Sequence, residues 1–158
     1  MSRGDILMNS IKTFYADENN SSILKDILYK RKGISLRYLE WFITNFSKKH
    51  DVSYIKNDGK LFTVHCSYKA TLNGYSKKLF DPFCRKDKIE FQIPGTEDSP
   101  IKTTVAQLNF IKWCITNNII THIENNPKKY LQYTSALEKS QEASADAPQL
   151  PLTPPSET

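Results

Sequence analysis

Between residues 35 and 49 the apolar side chains Leu36, Leu39, Phe42, Ile43 and Phe46 recur every three or four positions, with Arg37, Glu40, Thr44 and Lys48 between them. That spacing predicts an amphipathic helix, and Ser35 in front of it is a good N-cap. A shorter helix is predicted over residues 23–32, stopped by Gly33. Lys30, Arg31 and Lys32 lie in its last turn, where cations favour the negative end of the helix dipole. The polar cluster 16–22 before it reads as a break.

Beyond Lys49 the period drops to two. Residues 53–56 and 60–65 flank Asn57-Asp58-Gly59, in which Asp-Gly supplies the positive φ of a tight hairpin turn. Ile89, Phe91 and Ile93 alternate with polar residues over 88–93 until Pro94-Gly95 ends the run. Ile101-Lys102-Thr103 can pair back across the intervening loop.

The helical period returns at Thr104, followed at +3 by Gln107 in the pattern of a capping box. Leu108, Phe110, Ile111, Trp113, Cys114 and Ile115 make this helix apolar nearly all round, leaving Asn109, Lys112 and Thr116 as a polar line. Such a helix belongs at the centre of a core. A short element over 119–123 follows, and Pro127 suits the first position of a last helix over 128–139.

These elements predict an α+β fold: a single compact domain over 23–140 whose amphipathic helices flank a small antiparallel sheet. Residues 1–22 form an N-terminal segment compatible with a helix. Residues 141–158 hold four of the eight prolines, three acids, and no Lys, Arg or aromatic residue. They cannot bury enough apolar surface to offset the entropy of ordering, and a disordered acidic, proline-rich tail is expected. No repeat of a solenoid length occurs.

Charge sharpens this outline. The 158 residues carry 22 Lys and Arg against 17 Asp and Glu, a net +5, and setting aside the tail's −3 leaves +8 on residues 1–140. Apolar runs stop at three to five residues, far short of the roughly 18 that span a bilayer, so no membrane partner is expected. The first ten residues lack the apolar run of a secretory signal, and three cysteines without paired spacing do not suit a secreted disulfide framework. A soluble intracellular domain is the expectation.

Catalytic chemistry finds little material. Cys114 falls in the core helix and Cys66 beside a strand, where both read as small apolar residues. Cys84, between Phe83 and Arg85, is the one thiol beside positive charge; a thiol-dependent enzyme centred there is the weakest of the functional alternatives. His65-Cys66 is the one close pair of metal-binding types, and adjacent strand residues point to opposite faces. Phosphate-binding glycine loops and hydrolase motifs do not occur. The expectation is therefore no catalytic residue, no metal, no cofactor and no enzyme.

What stands out is residues 67–88. Lys69, Lys77, Lys78, Arg85, Lys86 and Lys88 face only Asp81 and Asp87, a local +4, with Tyr68, Tyr75, Phe80 and Phe83 interleaved. Such cations neutralise phosphates and an aromatic face stacks on a base, Tyr75 being the candidate for stacking. Phe80-Asp81-Pro82-Phe83 reads as a turn with both rings anchored in the core. The clusters 30–32 and 48–50 end helices, and dipole capping explains them without a partner.

Three segments carry a resemblance: ISLRYLEWFITNFSKKH (34–50), SYKATLNGYSKKLFDPFCRK (67–86) and TTVAQLNFIKWCITNNIITHIE (103–124). They resemble a family of small, uncharacterised basic proteins encoded by the large nucleocytoplasmic DNA viruses of eukaryotes. The family pattern has Gly where Ala106 stands, and two arginines where this chain has Arg85-Lys86. A lysine there weakens bidentate recognition of a phosphate or carboxylate. The resemblance implies origin and setting, the virion or the infected cell's cytoplasm or nucleus, and not chemistry.

Two functional expectations follow. In the first, a non-enzymatic viral protein binds the DNA or RNA backbone through its basic, aromatic-interleaved face, with the acidic tail as a built-in competitor. In the alternative, a minor capsid or core component of the particle meets acidic surfaces of other virion proteins through the same residues.

Overall fold

The computed structural model describes residues 3–84 and 88–126. The expected last helix over 128–139, the tail over 141–158, and Arg85 and Lys86 lie outside the described residues. Packing divides the chain into two units, Met1–Ile119 and Ile120–Thr158. The boundary falls after the first residue of α8 (Ile119–Glu124), which closes with Asn125 N–H donating to Thr121 O and Asn126 Nδ2 to His122 O.

The N-terminal segment compatible with a helix is α1, Arg3–Tyr15. Helix α2 runs over Glu18–Leu28, so the polar cluster expected to be a break is instead a helix start. Asp17 explains the correction: its carboxylate accepts from Asn20 N–H at 3.1 Å, satisfying an orphan donor of the first turn. Ser21 then donates to Glu18 O from inside the helix. The far end also differs from the expected 23–32. Lys30 turns left-handed at φ 55°, so Lys30, Arg31 and Lys32 lie past the last turn, where Asp26 pairs with Arg31 and Lys32.

The predicted helix after Ser35 forms with an irregularity. Ser35 accepts from Tyr38 N–H at 3.1 Å and starts α3 (Leu36–Trp41). A π-helical turn over Phe42–Phe46 then leads into α4 (Ser47–His50). Ser47 N–H reaches five residues back to Phe42 O, while the Thr44 hydroxyl donates to Glu40 O at 2.8 Å. A hydroxyl competing for that carbonyl loosens the regular ladder there. Asp51, left-handed at φ 54°, ends α4.

Strands β1 (Ser53–Ile55) and β2 (Leu61–Thr63) pair antiparallel as expected, Tyr54 opposite Phe62, around a turn in which Gly59 has φ 85°. The second strand stops two residues short of His65 because Val64 opens α5 (Val64–Tyr75), followed by α6 (Lys77–Phe80). His65 and Cys66 are thus helical neighbours and not opposite faces of a strand. Strands β3 (Lys88–Phe91) and β4 (Ile101–Thr104) pair with Lys88 opposite Thr104 and Phe91 opposite Ile101. The α+β class is borne out, with two separate two-stranded sheets where one was expected.

Helix α7 (Val105–Thr116) is the core element its composition predicts. Ala106, Leu108, Phe110, Ile111 and Cys114 are buried, and Tyr15 from α1 donates its hydroxyl to Leu108 O at 2.7 Å. Of these, Leu108, Phe110 and Ile111 each contribute roughly 1.5–3 kcal/mol by leaving water. Its polar line is also occupied by the fold. Asn109 is buried and donates to Leu79 O at 2.9 Å, while Lys112 donates to Ser10 Oγ at 2.6 Å above the Phe14 ring. The capping box forms by half: Thr104 Oγ1 accepts from Gln107 N–H, but the Gln107 amide turns to Thr103 Oγ1 and Pro82 O.

Candidate functional site

The basic stretch is fastened from beneath. Phe80 is fully buried within the aromatic cluster of Tyr68, Phe110 and Trp113, with ring centroids 5.6–5.8 Å away. On either side of it, Asn109 Nδ2 holds Leu79 O and Gln107 Nε2 holds Pro82 O at 3.1 Å, both from α7. Asp81 closes the expected turn by accepting from Phe83 N–H at 2.9 Å. Phe80 is the anchor it was expected to be. Phe83 is not: the turn buries Pro82 in the second inward place and leaves the Phe83 ring 44% exposed.

The joint between α5 and α6 is strained. Ser76 has φ 80° and ψ 162°, a region that glycine alone occupies freely, and holding another residue there costs about 1–3 kcal/mol. Tyr75 and Lys77 flank this joint, so the backbone direction of the Lys77-Lys78 turn is set by Ser76 and by the Phe80 anchor together.

Lys69 is exposed on α5, Lys77 and Lys78 on α6, and Lys88 on β3 opposite Thr104. Tyr75 is partly buried and stacks on Phe80 at 6.0 Å and 20°, so one ring face is already covered. Lys88 also edges a depression of about 410 Å³ whose wall includes Glu90, Lys102, Thr103 and Gln107. Among the described residues three acids pair with other cations: Asp98 takes Lys25 at 2.8 Å, Asp26 takes Arg31 and Lys32, and Asp58 takes Lys56. Lys69, Lys77 and Lys88 enter none of these pairs.

Two residues that the sequence reading left outside the basic stretch, Lys48 and His65, join Lys69. Lys48 from α4 and Lys69 both act on His65, whose proton affinity is lowered by burial first and then by these two cations. Two links make the arrangement: Val52 N–H donates to Ser47 O, and Val64 N–H, opening α5, donates to Val52 O at 3.1 Å. The signal was present in the four-residue spacing of His65 and Lys69, but it has meaning only on a helix. Three residues beyond His65, the Tyr68 phenol is pushed up to about 12 by burial and by the nearby Asp81 and Glu40 carboxylates.

The thiols divide. Cys114 is buried, as expected, and burial pushes its thiol well up; Cys84 is partly buried. Cys66 is exposed, contrary to expectation, because it sits on the outward side of α5 and not in a strand. Among the described residues no three His, Cys, Asp or Glu side chains gather to hold a metal, and no helix is long and apolar enough to cross a membrane.

A family model matches residues 1–150, nearly the whole chain. The chain belongs to the family DUF7197. That family is one of unknown function. The chain is also similar to Uncharacterized protein L507 of Acanthamoeba polyphaga mimivirus, 40% identical over 125 residues. The match covers 75% of this chain and 48% of the relative, so the chain spans about half the length of the curated relative it matches. The viral family expected from the three segments is thereby borne out. No solved structure matches this DUF7197 chain.

Proposed function

We propose that this DUF7197 member is a non-enzymatic viral protein that binds nucleic acid through the basic residues on α5, α6 and β3. The observation that carries the reading is the exposure of Lys69, Lys77 and Lys88 outside every ion pair among the described residues, Lys77 on a turn fastened by Phe80, Asn109 and Gln107. A cation outside any internal ion pair gains an anionic partner without first giving up one of its own. Lys69, Lys77, Lys78 and Lys88 contact phosphates in this reading, Arg85 and Lys86 continue the series, and Tyr75 offers its uncovered ring face to a base.

Binding of the full chain to duplex DNA and to single-stranded RNA, measured against salt, tests it. A log–log slope between about −3.5 and −5.5 is expected on duplex, the value for four to six phosphates at about 0.9 each. Undetectable binding at about 50 mM salt overturns it.

A second reading, a virion component that meets acidic surfaces of neighbouring proteins, draws on a different feature. Ile55 and Leu61 lie directly opposite each other on the β1–β2 hairpin and are 62% and 68% exposed. A paired apolar surface of that kind suits protein contact and not phosphate. Retention in purified particles after nuclease digestion favours this reading; release on digestion favours the first.

A further inference from the structure

We propose that the α4–α5 face carries a phosphate-binding position made of Lys48, His65 and Lys69, in which His65 becomes the third cationic donor when the anion docks. This deepens the nucleic-acid reading and rests on it for the identity of the macromolecule. It adds a place for one phosphodiester and a proton to the binding step.

The geometry comes from three constraints. His65 and Lys69 are four residues apart on α5 and so lie on one stripe of its surface. Lys48 is brought to that stripe by the Ser47–Val52–Val64 chain of backbone hydrogen bonds. Lys48 and Lys69 are exposed, His65 is partly buried, and none of the three enters an ion pair among the described residues.

Around α5 the charged groups are mostly cations. The π turn and β2 carry no ionisable side chain, α4 carries Lys48, Lys49 and His50 with Asp51 as its cap, α6 carries Lys77 and Lys78, and α7, whose rings meet Tyr68, carries Lys112. The charges that act on His65 are those of Lys48 and Lys69, and Asp51 is not one of them. The carboxylates that act on α5, Glu40 and Asp81, act on Tyr68 and not on His65. A His acted on by two lysines resists a third positive charge. A phosphate removes that resistance, and the imidazole then takes a proton from solvent and donates N–H to the oxyanion. Proton uptake and anion binding are reciprocal, so each strengthens the other.

Ring-proton NMR of the full chain at a range of pH, alone, with inorganic pyrophosphate and with a DNA duplex, tests this. The proposal expects the His65 titration midpoint to rise by about one pH unit with either anion. A shift of that size makes duplex affinity at most about tenfold tighter at a pH below both midpoints than at a pH above both. His65→Gln should abolish that pH dependence. If duplex binds and the His65 midpoint stays fixed, the position is wrong and the nucleic-acid reading stands. Should pyrophosphate move the midpoint while duplex shows no binding, the position stands and the nucleic-acid reading falls. A pH dependence unchanged in His65→Gln also overturns the position.

Discussion

His65 and Tyr68 lie three residues apart on α5, and the surroundings of the two side chains differ in sign. Burial is the first cause of the shift at both. The second is positive at His65, from Lys48 and Lys69, and negative at Tyr68, from Asp81 and Glu40. One helix therefore separates a cationic stripe from an acidic one. Net charge does not distinguish these stripes, and neither does counting lysines. At the end of α2, Arg31 and Lys32 are adjacent cations with Asp26 within 4 Å of both, whereas Lys69 and Lys77 enter no ion pair among the described residues. What marks a candidate anion site is the placement of the acids.

The largest expected effect breaks both stripes at once. Phe80→Ala removes the ring packed on Tyr68, Phe110 and Trp113 and should cost about 3–5 kcal/mol in denaturant unfolding. It also frees Asp81 from its place by Tyr68 and Lys77 from its support. Phe83→Ala, three residues on and exposed, should cost less than about 0.5 kcal/mol. Equal costs for the two would mean that the turn is not anchored through Phe80.

Next in size is a test of acid placement itself. Lys69→Glu with Lys77→Glu should lower duplex affinity at least about tenfold near 100 mM salt and reduce the salt slope by about two. Arg31→Glu with Lys32→Glu carries the same charge change into the acid-paired cluster, and affinity should stay within about threefold. Equal losses from the two pairs would show that total charge governs binding and that the placement of acids does not.

Smaller, and aimed at the joint between the stripe and the α6 lysines, is Ser76→Gly. Its backbone angles suit glycine, so relief of strain should stabilise the fold by about 1 kcal/mol, after the entropy that glycine adds to the unfolded chain. If duplex affinity falls while stability rises, the strained joint positions Lys77 and Lys78. If both rise, the joint serves the fold alone.

How much of this was legible in the sequence depends on where the stabilising contacts lie. Helix α7 and the two hairpin pairings were legible because periodicity and local turn chemistry decide them: Thr104 and Gly59 act on residues within four positions. The start of α2 was hidden because the polar run 16–22 resembles a loop until Asp17 is recognised as a cap. Helix α5 was the costliest omission. Its inward residues Val64 and Tyr68 are too few to show a helical period, and it is held by distant partners, Val52 through the backbone and Phe80 through the rings. Without that helix, His65 and Lys69 could not be read as neighbours. The basic stretch itself was legible as composition, but its orientation depends on Asn109 and Gln107, 30 and 25 residues from the carbonyls they hold.

The smallest effect sharpens the acidic stripe. Burial raises the proton affinity of Glu40, and Asp81 adds to it, against the Thr44 hydroxyl and Arg37. A carboxyl raised in the fold favours folding when protonated, below its ordinary range, and loses that contribution as pH rises through its folded midpoint. At pH 7 the ionised Glu40 is therefore a modest liability, held small by the water that still reaches it. Glu40→Gln imitates the protonated form at every pH and should raise the unfolding midpoint slightly at pH 7. The gain should vanish below about pH 4, where the wild-type carboxyl is itself protonated. The same substitution should bring the Tyr68 phenol down from about 12, read by ultraviolet titration, though not to its ordinary value, since burial and Asp81 remain. The His65 midpoint should not move. A stability gain that persists unchanged at pH 3.5 would assign the effect to packing, and a moving His65 would mean that α5 does not divide the two fields.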